Sequence, residues 1–250
     1  TTVSTPVNDA IAASGAPIDP QVLASGTTGI NIFANGIDTQ TRGADLVFDF
    51  PVEYAFGKVL WSVGATYNKT TITKYATTPP LLAGGTPATN ELYDPQAYSD
   101  LTTANPKYVI NLGALWTYDK LAVNLVEKIY GPSSEYENDD GDNGSPGTFP
   151  ACTPKGGTFI CPGGYDYFES KIGVQPITNL DVSYQMSEHI KFSVGALNLF
   201  NKFPGRLNAL QQAHENSPAY GDNAGVTQYP GFSPFGINGG FYYAKATLTF

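Results

Sequence analysis

The 250-residue sequence predicts an all-β chain, an antiparallel sheet of about eight strands. Three observations carry that expectation. Apolar side chains recur at every second position, the connections alternate between short and very long, and aromatic residues sort by height along one face. Composition agrees: only 14% of residues are charged and 13% are aromatic, with 27 Gly and 19 Pro. A helical bundle would be richer in Ala, Leu, Glu and Lys, whereas this mixture suits strands and irregular connections.

Residues 1–27 carry no period-2 pattern and are expected to be a loop, with at most a helical turn at 7–14. Thereafter Ala44, Leu46, Phe48 and Phe50 alternate with Asp45, Val47 and Asp49. Val59, Trp61, Val63, Ala65 and Tyr67 alternate in the same way, as do Tyr108, Ile110, Leu112, Ala114, Trp116 and Tyr118. Leu121, Val123 and Leu125 open a fourth stretch. Leu180, Val182 and Tyr184 mark a fifth, and Ile190, Phe192, Val194 and Ala196 a sixth. Tyr242 to Phe250 closes the chain, and a short piece at 30–33 completes the count. Successive strand side chains point to opposite faces, so each stretch presents one apolar and one mostly polar face.

That pattern fits a soluble sandwich as well as a membrane barrel, and the connections separate the two. Residues 51–58, 118–120 and 186–189 are short, whereas 74–106, 131–173 and 201–238 show little strand pattern. Compact soluble domains rarely carry three such connections. Short turns at one end and long loops at the other are the signature of outer-membrane barrels, periplasmic and extracellular respectively. Aromatic placement agrees. Phe50, Trp61, Trp116, Tyr118, Tyr184 and Phe250 lie on the apolar face towards the short turns, and Tyr67, Tyr108 and Tyr242 lie on it at the opposite ends. Two girdles flanking an apolar band are what a lipid-facing surface needs. Asp45, Asp49, Asn111, Asn124, Asn179, Asp181, Lys191 and Lys245 are then expected to face a lumen. Two positions break the pattern, Glu127 and Asn198, and either a tolerated polar group near the strand end or a β-bulge accounts for them.

Other chemistry is sparse. The formal net charge of −9 disfavours nucleic acid as a partner. His189 and His214 fall at opposite ends of the strands and complete no catalytic triad, so no enzymatic activity and no cofactor are expected. The acidic run 135–142 reads as a solvated loop. Asn138 to Gly144 only partly matches a calcium loop, because its Gly and closing Glu are misplaced. Two sequons, at Asn68 and Asn143, are attributed to chance. In the loop 203–235, Arg206, Asn208, Gln211, Gln212, His214, Tyr220 and Tyr229 mix hydrogen-bonding groups with aromatics, as a saccharide or chelate site does. The plainer reading is a surface loop packed on its own side chains.

Three segments resemble TonB-dependent receptors. Phe33 to Asp49 (FANGIDTQTRGADLVFD) is similar to a segment of their barrel, and Val194 to Pro204 (VGALNLFNKFP) to their Asn-Leu-Phe-Asp-Lys motif, with Asn201 in place of Asp. Phe241 to Phe250 resembles their terminal strand. The resemblance spans residues 28–250 and implies the carboxy-terminal strands of a plugged barrel of about 22 strands. It implies uptake of iron chelates, cobalamin, saccharides or similar scarce solutes across the bacterial outer membrane. Outer-membrane lipid and lipopolysaccharide, the plug and upstream strands of the same protein, and indirectly TonB, are the partners implied. The plug and the TonB box are not in this chain, so the chain is expected to continue upstream of Thr1. The rival expectation is a self-contained eight-stranded barrel with a structural or adhesive role, in which 30–33 pairs with the terminal strand.

Cys152 and Cys161 are the only cysteines, with eight residues between them in a Gly/Pro-rich stretch. Without CxxC spacing or a nearby His, zinc is disfavoured and a loop-stapling disulfide is expected. Thiol labelling of the denatured, non-reduced protein should find no free cysteine, and two labelled thiols would overturn the pairing.

Overall fold

The computed structural model describes residues 37–75, 95–138, 153–155, 158–160, 166–207, 209, 212 and 228–250. Its centre is a seven-stranded antiparallel sheet: β1 (Ile37–Tyr54), β2 (Gly57–Tyr75), β3 (Tyr108–Tyr118), β4 (Leu121–Tyr130), β9 (Gln175–Gln185), β10 (Ile190–Leu197) and β11 (Phe241–Leu248), hydrogen-bonded in that order. A second sheet is built from β5 (Ser133–Asn138), β6 (Thr153–Lys155), β7 (Thr158–Ile160) and β8 (Asp166–Ile172), in the order β5-β8-β7-β6. One helix, α1 (Pro95–Thr102), precedes β3. No described helix is long and apolar enough to cross a membrane, which says nothing of strands.

Strand pairing puts the alternating apolar residues on a single face. One row across the sheet reads Phe50, Trp61, Ala114, Leu125, Leu180, Ala196, Tyr242, and the next Val52, Val59, Trp116, Val123, Val182, Val194, Ala244. Because side-chain direction alternates with period 2, one slipped residue in any pair would split these rows between faces. The only register shift in the sheet lies at Asp38/Thr39, outside them. The face is exposed, with Phe48 at 56%, Leu112 at 41% and Val194 at 56%, so the sheet's apolar side has no covering layer among the described residues.

The two exceptions to the pattern have different causes. No bulge interrupts β4; Glu127 stays on the apolar face and accepts a hydrogen bond at 2.5 Å from Thr178 Oγ1, its neighbour in β9. Asn198 is not in the strand at all. β10 ends at Leu197, and Asn198 and Asn201 adopt left-handed backbone (φ 52° and 51°), which Asn tolerates better than most residues.

Several expected boundaries need correction. β1 and β2 run to 18 and 19 residues, far past the apolar stretches. Residues 51–58 are mostly strand, with Ala55 and Phe56 alone forming the turn. At the other end, Thr-rich segments continue the ladder, and Thr41 and Thr70 hydroxyls meet at 2.8 Å. Thr is a good strand former, but it leaves no apolar alternation to read. The connections 74–106 and 131–173 are not structureless, since they hold α1 and β5 to β8. The terminal strand stops at Leu248, and Thr249 is clasped by His189, whose backbone carbonyl accepts its N–H at 2.9 Å and whose Nδ1 lies 2.9 Å from its carbonyl. The stretches 1–27 and 30–33 lie outside the described residues.

On the polar face, one close approach ties three strands together. The row Asn124, Asp181, Gly195, Tyr243 crosses β4, β9, β10 and β11. Tyr243 lays its ring over Gly195, where an added Cβ would sit 2.5 Å from the ring, and donates its hydroxyl to Asp181 Oδ2 at 2.8 Å. A side chain at 195 would lift the ring and break that bond. The Tyr243 hydroxyl donates to a carboxylate, and hydrogen bonds to charged groups are stronger than neutral ones, so Tyr243→Phe should lower the urea midpoint of the detergent-folded protein. Gly195→Val should cost at least as much, and in a Gly195→Val background Tyr243→Phe should have little further effect. Additive losses would show that the two residues act separately.

Candidate functional site

The buried apolar residues outside the sheet belong to its long connections: Ala104, Phe168, Ile172, Leu207 and Pro230 are each buried. α1 is short and begins with Pro95, a residue suited to the first helical turn. Helices of this length rely on tertiary contacts, and α1 finds them on the free edge of β5. Ser99, fully buried, donates to Gln96 O at 2.8 Å and accepts the Tyr136 N–H at 3.0 Å. Thr103 O accepts the Ser134 N–H at 2.9 Å, while Thr103 Oγ1 donates to Ser134 O at 2.7 Å. The helix and its C-terminal segment thus take up the backbone groups that an edge strand would leave open.

Electrostatics mark the same contact. Burial pushes the Glu135 carboxyl up to about 7, helped by the hydrogen bond its protonated form donates to Asp100 on α1 and by the charges of Asp100 and Glu137. Burial, with the neighbouring Glu169 carboxylate, pushes the Tyr136 phenol up to about 12. Its hydroxyl donates to Glu169 Oε1 at 3.3 Å, and Glu169 also pairs with Lys171 at 2.8 Å.

The expected binding loop is only partly described. Gln212 donates its side-chain amide to Leu207 O at 2.8 Å, and Leu207 N–H reaches Gln228 O at 3.1 Å. Tyr229 stacks on Phe203 with centroids 5.3 Å apart. Gln212 thus contacts Leu207 and Tyr229 contacts Phe203, both within the loop, and Arg206 is exposed beside Leu207. Asn208, Gln211, His214 and Tyr220 lie outside the described residues, as do Cys152, Cys161 and the acidic residues after Asn138. The Asn-Leu-Phe-Asn motif is well anchored. Asn198 bridges to Lys202 through both side-chain atoms, at 2.6 and 2.8 Å, and its N–H donates to Asn179 Oδ1 at 2.9 Å. Asn201 Oδ1 accepts the Gly240 N–H at 2.8 Å, and the Tyr242 hydroxyl donates to Leu199 O at 3.0 Å. The motif pins the start of β11 to the end of β10.

The aromatic residues of the apolar face remain accessible. Tyr118, Tyr184 and Tyr242 are about half exposed and Phe250 fully so, while Trp61 and Tyr67 are less exposed. Trp116 is half-buried. Its indole N–H donates to Phe56 O at 2.9 Å, so β3 holds the β1–β2 turn. Tyr108 is also half-buried and borders a cavity of about 580 Å³ at the loop end of the sheet, which sequence reasoning did not find. Lys107, Lys171 and Ser133 line it as well, and these sit in segments with no readable alternation.

These features define a seven-stranded antiparallel sheet with one exposed apolar face, open among the described residues. The E. coli outer-membrane transporter YddB superposes with a TM-score of 0.50 at 13% identity, covering 85% of this chain and 25% of the transporter. The pyoverdine outer-membrane receptor FpvA of Pseudomonas aeruginosa follows at TM-score 0.46 and 13% identity, over 86% of this chain and 22% of the receptor. The ferric enterobactin receptor PfeA of the same organism gives 0.42 and 18%, over 81% and 21%. The chain thus spans about a quarter or less of these proteins. No family model matches the sequence, and no curated protein matches it.

The Glu135 carboxyl is raised in the fold, so its stabilising contribution is complete below its ordinary value of 4.5 and is lost as pH rises through about 7. Hydrogen-exchange protection factors across α1 should therefore fall between pH 6 and 8. Glu135→Gln should flatten that dependence. An unchanged pH profile in the variant would show that another group controls the contact.

Proposed function

We propose that this chain supplies carboxy-terminal strands of an outer-membrane barrel that takes up a scarce solute by TonB-dependent energy coupling. The solute class is an iron chelate, cobalamin, a saccharide or a similar molecule. The plug and further strands belong to the rest of the protein.

The continuous apolar face carries this reading. Seven strands hold it in register, aromatics fall towards both ends, and the short turns share one end. In this reading Trp61, Trp116, Tyr118, Tyr184 and Phe250 sit at the periplasmic interface and Tyr67, Tyr108 and Tyr242 at the outer one. The face bearing Asp181 and Asn124 looks into the lumen. β1 and β11 do not pair with each other among the described residues. In hydrocarbon each unsatisfied backbone group costs several kcal/mol, so the reading adds strands between them. The loop residues Arg206, Asn208, Gln211, Gln212, His214, Tyr220 and Tyr229 are the proposed solute contacts.

Val63→Arg and Leu112→Arg should each hinder assembly of the full-length protein, costing about 2–4 kcal/mol near the midplane. Assembly is read as heat-modifiable migration in gels. Full-length protein should also support solute uptake, scored over a panel of the classes above, only in cells with a functional TonB. Wild-type assembly of both arginine variants would sink the lipid-facing assignment; uptake that persists without TonB would sink the energy coupling.

A further inference from the structure

Glu127 is the one acidic or basic side chain in the apolar rows between the two girdles, among the described residues. Its partner in β3, Leu112, lies four residues below Tyr108 and six above Tyr118, so the carboxyl stands well inside the apolar band. Ionisable groups in hydrocarbon are rare and almost always find a partner. Thr178 Oγ1 donates to Glu127 Oε2 at 2.5 Å, and that is a single hydrogen bond for a group with about four acceptor sites. No ion pair among the described residues reaches it. Lys128 follows it in the strand and therefore lies on the opposite face.

A groove opens beside this carboxyl. Ala114 falls between Trp61 and Leu125 in one row, and its small side chain leaves a dip of about 270 Å³. Phe50 and Trp61 wall one end, Val63, Leu112 and Leu125 border the middle, and Glu127 closes the other end. The lining is otherwise almost wholly apolar. Trp61 and Glu127 lie two strands and one row apart, roughly 12 Å between their Cα atoms at the usual strand spacing and rise. One end of the groove thus selects a cation or donor, and the rest selects an apolar body of that length.

We infer that this groove binds a protonated amine with an apolar body, an alkylammonium in the simplest case. The ammonium meets Glu127 Oε1 while Thr178 keeps Oε2. The alkyl chain lies over Ala114 and ends against Trp61 and Phe50. Charge sets the choice: an anionic head would be repelled at Glu127, and a charge-assisted bond in a low dielectric is stronger than a neutral one. The site rests on the lipid-facing orientation proposed above and adds a ligand to it.

The test photolyses full-length protein in detergent with a diazirine-bearing octylamine and maps the adducts by peptide mass spectrometry. Wild type should be labelled on β2, β3 and β4 around Ala114, with competition by plain octylamine. Glu127→Gln should be labelled roughly tenfold less while keeping heat-modifiable migration. Ala114→Phe, which fills the groove without touching the carboxyl, should lose labelling as well. Equal labelling of either variant, equal labelling by the matching diazirine alcohol, or labels spread evenly over the apolar face would overturn the inference. So would a photoreactive residue at position 114 that yields a protein-sized adduct in cells, since that marks a second copy or another chain as the occupant. Quenching of Trp61 fluorescence by brominated lipids, measured against Trp61→Phe, tests the orientation separately. Quenching without amine labelling refutes the amine site alone, and no quenching refutes the orientation beneath it.

Discussion

Register is the constraint on which the rest of this structure depends. Six strand pairs must each place an odd or even set of residues on the same side, and a shift of one residue in any pair would bring polar residues such as Asp, Asn, Ser or Lys into the apolar rows. Side-chain devices on both faces reinforce the backbone ladder. On the apolar face Thr178 answers Glu127, and on the polar face Tyr243 crosses Gly195 to reach Asp181. At the turn end, Trp116 holds the Phe56 carbonyl. At the loop end, the Asn198 and Asn201 turn aligns β10 with β11. Each device works in only one register, so together they specify the pairing that apolar burial alone would leave loose.

The sequence made the sheet legible wherever one face was apolar and the other polar. Trp61, Val63, Leu112 and Val182 fall on the face assigned from alternation because nothing but period 2 was needed to place them. Legibility failed where strands were polar on both faces. The Thr-rich upper parts of β1 and β2 and the Ser/Glu-rich β5 carry no apolar period. β8 does hide one, since Phe168, Ser170 and Ile172 share a buried side, but Ser170 interrupts it. α1 offered only two turns, too few to show a helical stripe, and its support comes from β5, which was itself unseen.

The candidate site was less legible than the fold for a related reason. Loop residues chosen for their chemistry, such as Gln212 and Tyr229, spend their described contacts on the loop itself. The cavity at the rim draws instead on the ends of four elements far apart in sequence. Lys107 and Lys171 reach one place only because β2, β3, β5 and β8 converge there. No spacing rule brings residues so distant together. The Asn-Leu-Phe-Asn motif was noticed by resemblance, yet its physical reason, two left-handed asparagines that close a turn, required the backbone.

The second sheet also bears on how the chain can assemble. β4 must find β9 across roughly forty intervening residues, and closing so long a loop in one step is slow because its entropy is lost before contacts form. The nested order β5-β8-β7-β6 offers a shorter route. Two residues separate β6 from β7, five separate β7 from β8, and two separate β4 from β5 and β8 from β9. Pairing that starts at the innermost hairpin and spreads outward, first β8 with β7, then β5 with β8, delivers β4 and β9 to each other already aligned. The long connection then acts as a zip whose slider starts at the tip, and the β4–β9 pair is the last set of teeth to close.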